Sequence, residues 1–215
     1  YEELAYEIIR EFFDDIGDEN LKEAIRNAYN DKFFVKEEKN FLELYHGPTS
    51  AFKDAALLFL PQIMKAAKKK ENIGEEIVIL TATSGDTGKA ALAGFADVEG
   101  TRIIVFYPKN GVSKVQELQM VTQKGKNVDV VAIHGNFDNA QSGVKAMFEN
   151  EELAKALDCT MEYIMSLDMG YHKETGLPKN QKYLLLHFLT FLLQHFYKHV
   201  DHYYQSLVGY KHVVP

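Results

Sequence analysis

Apolar positions at helical spacing open the chain. Leu4, Ala5, Ile8, Ile9, Phe12 and Phe13 recur with acids between them, which predicts an amphipathic helix over Tyr1–Asp15. Ile16-Gly17-Asp18 reads as a turn, and Asp18 can cap a second helix with Leu21, Ala24, Ile25 and Ala28 on its apolar face. Asn30 to Asn40 reads as a polar linker around Phe33-Phe34-Val35, and Phe41–Tyr45 as a short strand. A long helix is then expected from Ala51 to about Lys70. Its apolar face carries Phe52, Ala55, Ala56, Phe59, Leu60, Ile63, Met64 and Ala67, with a kink at Pro61.

From residue 77 the period changes. Ile77-Val78-Ile79-Leu80 is a short branched run of the kind that forms a buried parallel strand. Thr81–Gly88 is the loop after it, and an Ala-rich helix is expected over Lys89–Asp97. Thr101–Tyr107 is a second buried strand, and Ser113 caps a helix that ends at Gly125. Val128–Ile133 is a third strand. Asn136 or Asp138 can cap a helix running to about Asn150. Strand–helix alternation with short connections predicts an α/β fold: a parallel, doubly wound sheet with flanking helices. Ligands in such sheets bind at the carboxyl ends of the strands. Three parts are expected: a helical N-terminal part over 1–75, a wound α/β domain over 76–158, and a tail over 159–215 that is helical or disordered.

The chain's 215 residues suffice for one substantial core, and a net charge of −7 argues against nucleic acid as the main partner. Cys159 is the single cysteine, so no disulfide can form within the chain. That fits a reducing compartment and a cytoplasmic location. The chain opens Tyr-Glu-Glu with no basic or apolar leader, and Tyr183–Phe196 is too short to span a bilayer. No membrane partner and no signal peptide are expected. Without an initiator Met, the chain is expected to begin partway into a longer protein.

Two motifs carry candidate chemistry. In His46-Gly47-Pro48-Thr49-Ser50-Ala51-Phe52-Lys53-Asp54, Gly47-Pro48 turns the chain and Thr49 or Ser50 can cap the helix. Lys53 then falls in the first helical turn, where the dipole disfavours a cation and Asp54 offsets part of the field. An amine held neutral there suits Schiff-base chemistry, and burial beside the core would lower its pKa further. The alternative is a solvated lysine that follows a cap. The second motif, Ser84-Gly85-Asp86-Thr87-Gly88, opens a helix directly after a strand. Its N–H groups and hydroxyls form a candidate site for a carboxylate or phosphate; the alternative is a tight turn without a ligand. Asp86 is an awkward neighbour for an anion unless it caps the loop. Thr83 and Ala90 stand where a P-loop needs glycine and Ser/Thr, and a dinucleotide fingerprint is absent.

GPTSAFKD and ATSGDTGKAA together resemble the threonine synthases of the tryptophan-synthase-like, fold-type II pyridoxal-phosphate enzymes. Ser113–Met120 (SKVQELQM) and Gly135–Gln141 (GNFDNAQ) also look like that family, in the same order. The resemblance covers about residues 1–158. It implies that Lys53 carries pyridoxal 5'-phosphate, that Phe52 flanks it, and that Asp86 lies beside the cofactor. It further implies that Thr83, Ser84, Gly85, Asp86 and Thr87 receive the substrate carboxylate. The implied reaction is a lyase step of threonine biosynthesis, converting O-phospho-L-homoserine and water to L-threonine and phosphate. Lys114 and Gln116 lie in a matching segment. Gly135-Asn136-Phe137 looks like a cofactor-phosphate loop but stands too early in the chain, and is expected to start a helix.

The resemblance stops after Asp158, so the chain is expected to be an incomplete fragment of such an enzyme. The abrupt change in composition suggests a shifted reading frame. His187, His195, His199 and His202 cluster beyond that point. His195 and His199 have helical i, i+4 spacing, but without an accompanying acid motif no metal is expected. Two other readings stand beside the enzyme. One is a non-catalytic α/β module that binds an amino acid or phosphate. The other is a helical interaction tail over 184–204.

Overall fold

A computed structural model describes residues 1–157 and 160–165, all of them in one compact unit. The expected tail helix and the histidine cluster lie outside the described residues. Two helices open the chain, α1 (Glu2–Ile9) and α2 (Asp18–Tyr29). Helix α1 is shorter than the periodicity predicts. Gly17, not Asp18, is the N-cap of α2, at φ 80°, and Asp18 is its first helical residue. Tyr29 anchors this layer: its hydroxyl donates to Ala55 O at 2.6 Å, and its ring stacks on Phe59 with centroids 6.4 Å apart.

The expected linker is a strand. β1 (Phe34–Glu38) pairs antiparallel with β2 (Phe41–His46), making a two-stranded hairpin with a register shift between Phe34 and Lys36. The expected long helix is two helices, α3 (Asp54–Leu57) and α4 (Leu60–Lys70). Pro61 does not kink a continuous helix. It stands in the first turn of α4, where its missing N–H costs no hydrogen bond. Neither Thr49 nor Ser50 caps α3; the N-cap residue is Lys53. Of the expected apolar face, Phe59, Leu60, Ile63 and Met64 are buried, whereas Phe52 is exposed.

As far as residue 148 the wound part follows the predicted alternation; the helix Glu151–Leu157 and the strand Thr160–Met165 are additional, and that strand falls in the stretch expected as a helical or disordered tail. β3 (Ile77–Ala82), α5 (Asp86–Phe95), β4 (Thr101–Pro108), α6 (Lys114–Val121), β5 (Val128–Ile133), α7 (Phe137–Phe148), α8 (Glu151–Leu157) and β6 (Thr160–Met165) come in order. The sheet order is β5-β4-β3-β6 and every pairing is parallel. All six residues of β3 are buried, as a central parallel strand requires. One face packs Val78, Leu80 and Ala82 against Ala140 and Val144 of α7. On the other face, where Ile79 and Val105 are fully buried, α5 lies against β4. Close approach of α5 needs small residues. A Cβ on Gly88 would meet Thr83 and Val105 at under 3 Å, and one on Gly94 would overlap the carbonyl of Leu57. α3 and α5 are thereby drawn together, and α3 begins beside Lys53.

Candidate active site

The turn after β3 is built around Thr83. Its side chain is fully buried, and its hydroxyl accepts the N–H groups of Gly85 and Gly88, both at 2.9 Å. Gly85 sits at φ 136°, a conformation that L side chains rarely adopt. The brace lets β3 turn directly into α5. The acceptor positions of the Thr83 hydroxyl thus serve the loop's own backbone. Ser84 is exposed at the tip and Thr87 is buried one turn on. Asp86 does not cap the loop either. Its carboxylate turns aside, accepting from Gln116 Nε2 at 3.0 Å and lying 3.0 Å from Lys89 Nζ. Burial pushes this carboxyl up. The hydrogen bonds from Gln116 and Lys89, and the charges of Lys89 and Lys53, outweigh it and hold the group below its ordinary range.

Lys53 reaches the same place from the other motif. It is half-buried, and its Nζ donates to Thr87 Oγ1 at 2.8 Å. The Phe52 ring lies beside the ammonium, with its centroid 5.9 Å from Nζ. What aims the lysine is Asp54, which is fully buried and accepts the Thr49 N–H at 2.9 Å and the Thr49 hydroxyl at 2.5 Å. Burial pushes the Asp54 carboxyl above its ordinary value, against the hydrogen bonds from Thr49 and the backbone and the charge of Lys89. Gly47 makes this closure possible, since a Cβ there would strike Asp54 and Phe33. The segment 47–54 is a side-chain-closed loop that delivers Lys53 to the start of α3.

The third segment, α6, packs against α5. Ser113 and Gln116 form a capping box: Gln116 N–H donates to Ser113 Oγ at 3.2 Å, and Ser113 N–H to Gln116 Oε1 at 3.0 Å. Gln116 then bridges to Asp86, while Lys114 pairs with Glu117 at 2.7 Å on the surface. Gly135-Asn136-Phe137 starts α7, as expected, with Asn136 and Asn139 closing a second capping box. A cavity of about 670 Å³ opens elsewhere, lined among others by Phe34, Tyr45, His46 and Gln62; neither Lys53 nor residues 83–87 line it. Among the described residues there is no cluster of three metal-ligating side chains, and no helix is long and apolar enough to cross a membrane.

Known proteins are similar to this chain in sequence and fold. The chain is 40% identical over 164 residues to the threonine synthase of Pseudomonas aeruginosa, a match covering 72% of this chain and 34% of that protein. It is 38% identical over 147 residues to the threonine synthase of Escherichia coli, covering 67% and 33%. A PLP-bound threonine synthase from Brucella melitensis superposes with a TM-score of 0.68 at 34% identity, over 79% of this chain and 38% of that one. Over its matched length, the chain is similar to part of the threonine synthases. The chain spans about a third of the length of the curated threonine synthases it matches. The yeast threonine synthase structure gives a TM-score of 0.65 at 31% identity, covering 75% of this chain and 35% of that one. No family model matches the chain.

Three contributors to the candidate site escape sequence reasoning. Asp54 reads as an offset to the helix dipole and is instead the clasp of its own loop. Lys89 reads as one more polar residue of an Ala-rich helix and is a nearly buried ion-pair partner. Gln116 carries a usable signal, since S-x-x-Q before a helix is a capping box, but its bridge to Asp86 is a tertiary contact.

Proposed function

We propose that this chain provides the cofactor-lysine segment of a pyridoxal-phosphate-dependent threonine synthase. The whole enzyme converts O-phospho-L-homoserine and water to L-threonine and phosphate, in the cytoplasm. The observation that carries the reading is the 2.8 Å hydrogen bond from Lys53 Nζ to Thr87 Oγ1, which brings the two motifs together across the sequence. The residues present fit the aldehyde end of the cofactor. A half-buried primary amine, held by a hydroxyl and flanked by an aromatic ring, is the chemistry such a group needs.

Lys53 would hold the cofactor, with Phe52 and Asp86 beside it. When bound, pyridoxal phosphate supplies an electron sink for carbanionic chemistry. The protein supplies position. Ser84 and Asp86 offer backbone N–H groups that pair with nothing among the described residues, at the positive end of a ten-residue helix. These groups, with Gly85 and Thr87, would receive the substrate carboxylate and fix the substrate's orientation. Lys53 Nζ is the group placed to take up and return protons at successive substrate carbons, and Thr87 Oγ1 orients it.

The test adds pyridoxal phosphate to the full chain and records its absorbance spectrum. The reading expects the band of lysine-bound cofactor, and its loss in Lys53→Ala. An unchanged spectrum of free cofactor at saturating concentration would remove this function for the chain.

A further inference from the structure

The proposed site contains an apparent contradiction. A loop meant to receive a carboxylate carries a carboxylate of its own, Asp86, whose side chain is 43% exposed. Left alone, that charge would oppose an anion at the same helix start. Two groups from different elements converge on a single oxygen of it. Lys89 Nζ lies 3.0 Å from Asp86 Oδ1, and Gln116 Nε2 donates to Oδ1 at 3.0 Å. The orientation of Gln116 is fixed from behind, because its Oε1 accepts the Ser113 N–H. Lys89 is the more telling partner. Its side chain is only 8% exposed, and it stands in the first turns of α5, where the helix dipole disfavours a cation. Its neighbours Gly88, Ala90 and Ala91 are small and buried, so packing alone would favour an apolar residue there.

We infer that Lys89 is a positioning residue for substrate binding: it cancels the charge of Asp86 and turns that carboxylate aside, so that the 84–87 loop can accept the carboxylate of an amino-acid substrate. The inference rests on the functional reading given above. Gln116 serves the same end by donating to the same Oδ1, and it ties the state of the loop to the cap of α6.

The experiment compares Lys89→Met, Asp86→Asn and the double variant in the full chain loaded with pyridoxal phosphate. Each is titrated with O-phospho-L-homoserine, and binding is read from the backbone amide signals of residues 84–86. Met keeps the length and apolar stem of lysine, so Lys89→Met removes chiefly the charge. The single variant is expected to bind about tenfold more weakly, with Asp86 now uncompensated. The double variant, which removes both charges, is expected to return to within about threefold of wild type. Rescue of this kind separates charge compensation from a loss of packing around Lys89. Unchanged affinity in Lys89→Met overturns the inference, and so does a double variant as weak as the single one. A wild-type chain that takes up no cofactor on Lys53 defeats the functional reading and this inference together. A chain that loads normally but fails either comparison defeats the inference alone.

Discussion

Lys53 and Thr87, thirty-four positions apart, meet through a 2.8 Å hydrogen bond from amine to hydroxyl. One belongs to a loop clasped by Asp54 and the other to a helix braced by Thr83. Neither element positions the pair without the other. Thr87→Val removes the acceptor while nearly preserving volume, so it is expected to weaken uptake of pyridoxal phosphate by about tenfold. Thr87→Ser is expected to retain most of it. Titration of the three proteins with cofactor, followed by absorbance, checks this. Equal affinity in the valine variant would show that the hydroxyl does not orient the amine.

Thr83 makes a different prediction, because its hydroxyl serves the backbone. Thr83→Val leaves the N–H groups of Gly85 and Gly88 without their acceptor in a buried turn. The expected loss is about 1–3 kcal/mol of stability. Thr83→Ser should recover most of it. Chemical denaturation of the three proteins measures the difference. A valine variant as stable as wild type would mean that the turn does not depend on this brace.

The two buried or half-buried aspartates of the site are expected to respond to pH in opposite directions. Asp54 has its carboxyl raised in the folded state above the ordinary 3.8, chiefly by burial. The folded protein therefore holds this proton more tightly than the unfolded chain. Asp54's contribution is most favourable below pH 3.8 and declines as pH rises through the folded value. Asp86 is lowered, so its contribution is present above pH 3.8 and is lost as pH falls through the folded value. Stability of Asp54→Asn and Asp86→Asn relative to wild type, measured from pH 3 to 7, should therefore diverge with opposite slopes (pH range on the order of the ordinary carboxylate values). Parallel slopes would contradict the assigned environments.

Much of the fold was legible because its signals are local. The branched run Ile77–Leu80 fits only a strand buried on both faces, and β3 is that strand. Ser113 and Asn136 announce their helices through polar side chains at fixed offsets, and both close capping boxes. β1 was not legible. Lys36, Glu37 and Glu38 are exposed on both sides of a hairpin, so no alternation of apolar and polar positions marks it. The break between α3 and α4 was hidden for the opposite reason. Leu57, Leu58, Phe59 and Leu60 are all buried, so the apolar face runs unbroken across a boundary that only the backbone shows. At the site, Lys53 and the 84–88 loop stood out by residue type and position. Of the remaining contributors, Gln116 reaches Asp86 from a separate element, while Asp54 and Lys89 act through polar contacts within their own loop and helix turn that apolar periodicity does not mark.

The central claim is that the Lys53 amine captures the cofactor. Reduction of the full chain with borohydride in the presence of pyridoxal phosphate, followed by digestion and mass spectrometry, locates the modified lysine directly. The account predicts one pyridoxyl group on the peptide carrying Lys53, formed in preference to the other lysines and absent from Lys53→Ala. Labelling spread evenly over surface lysines, with Lys53 no more reactive than Lys114, would contradict it.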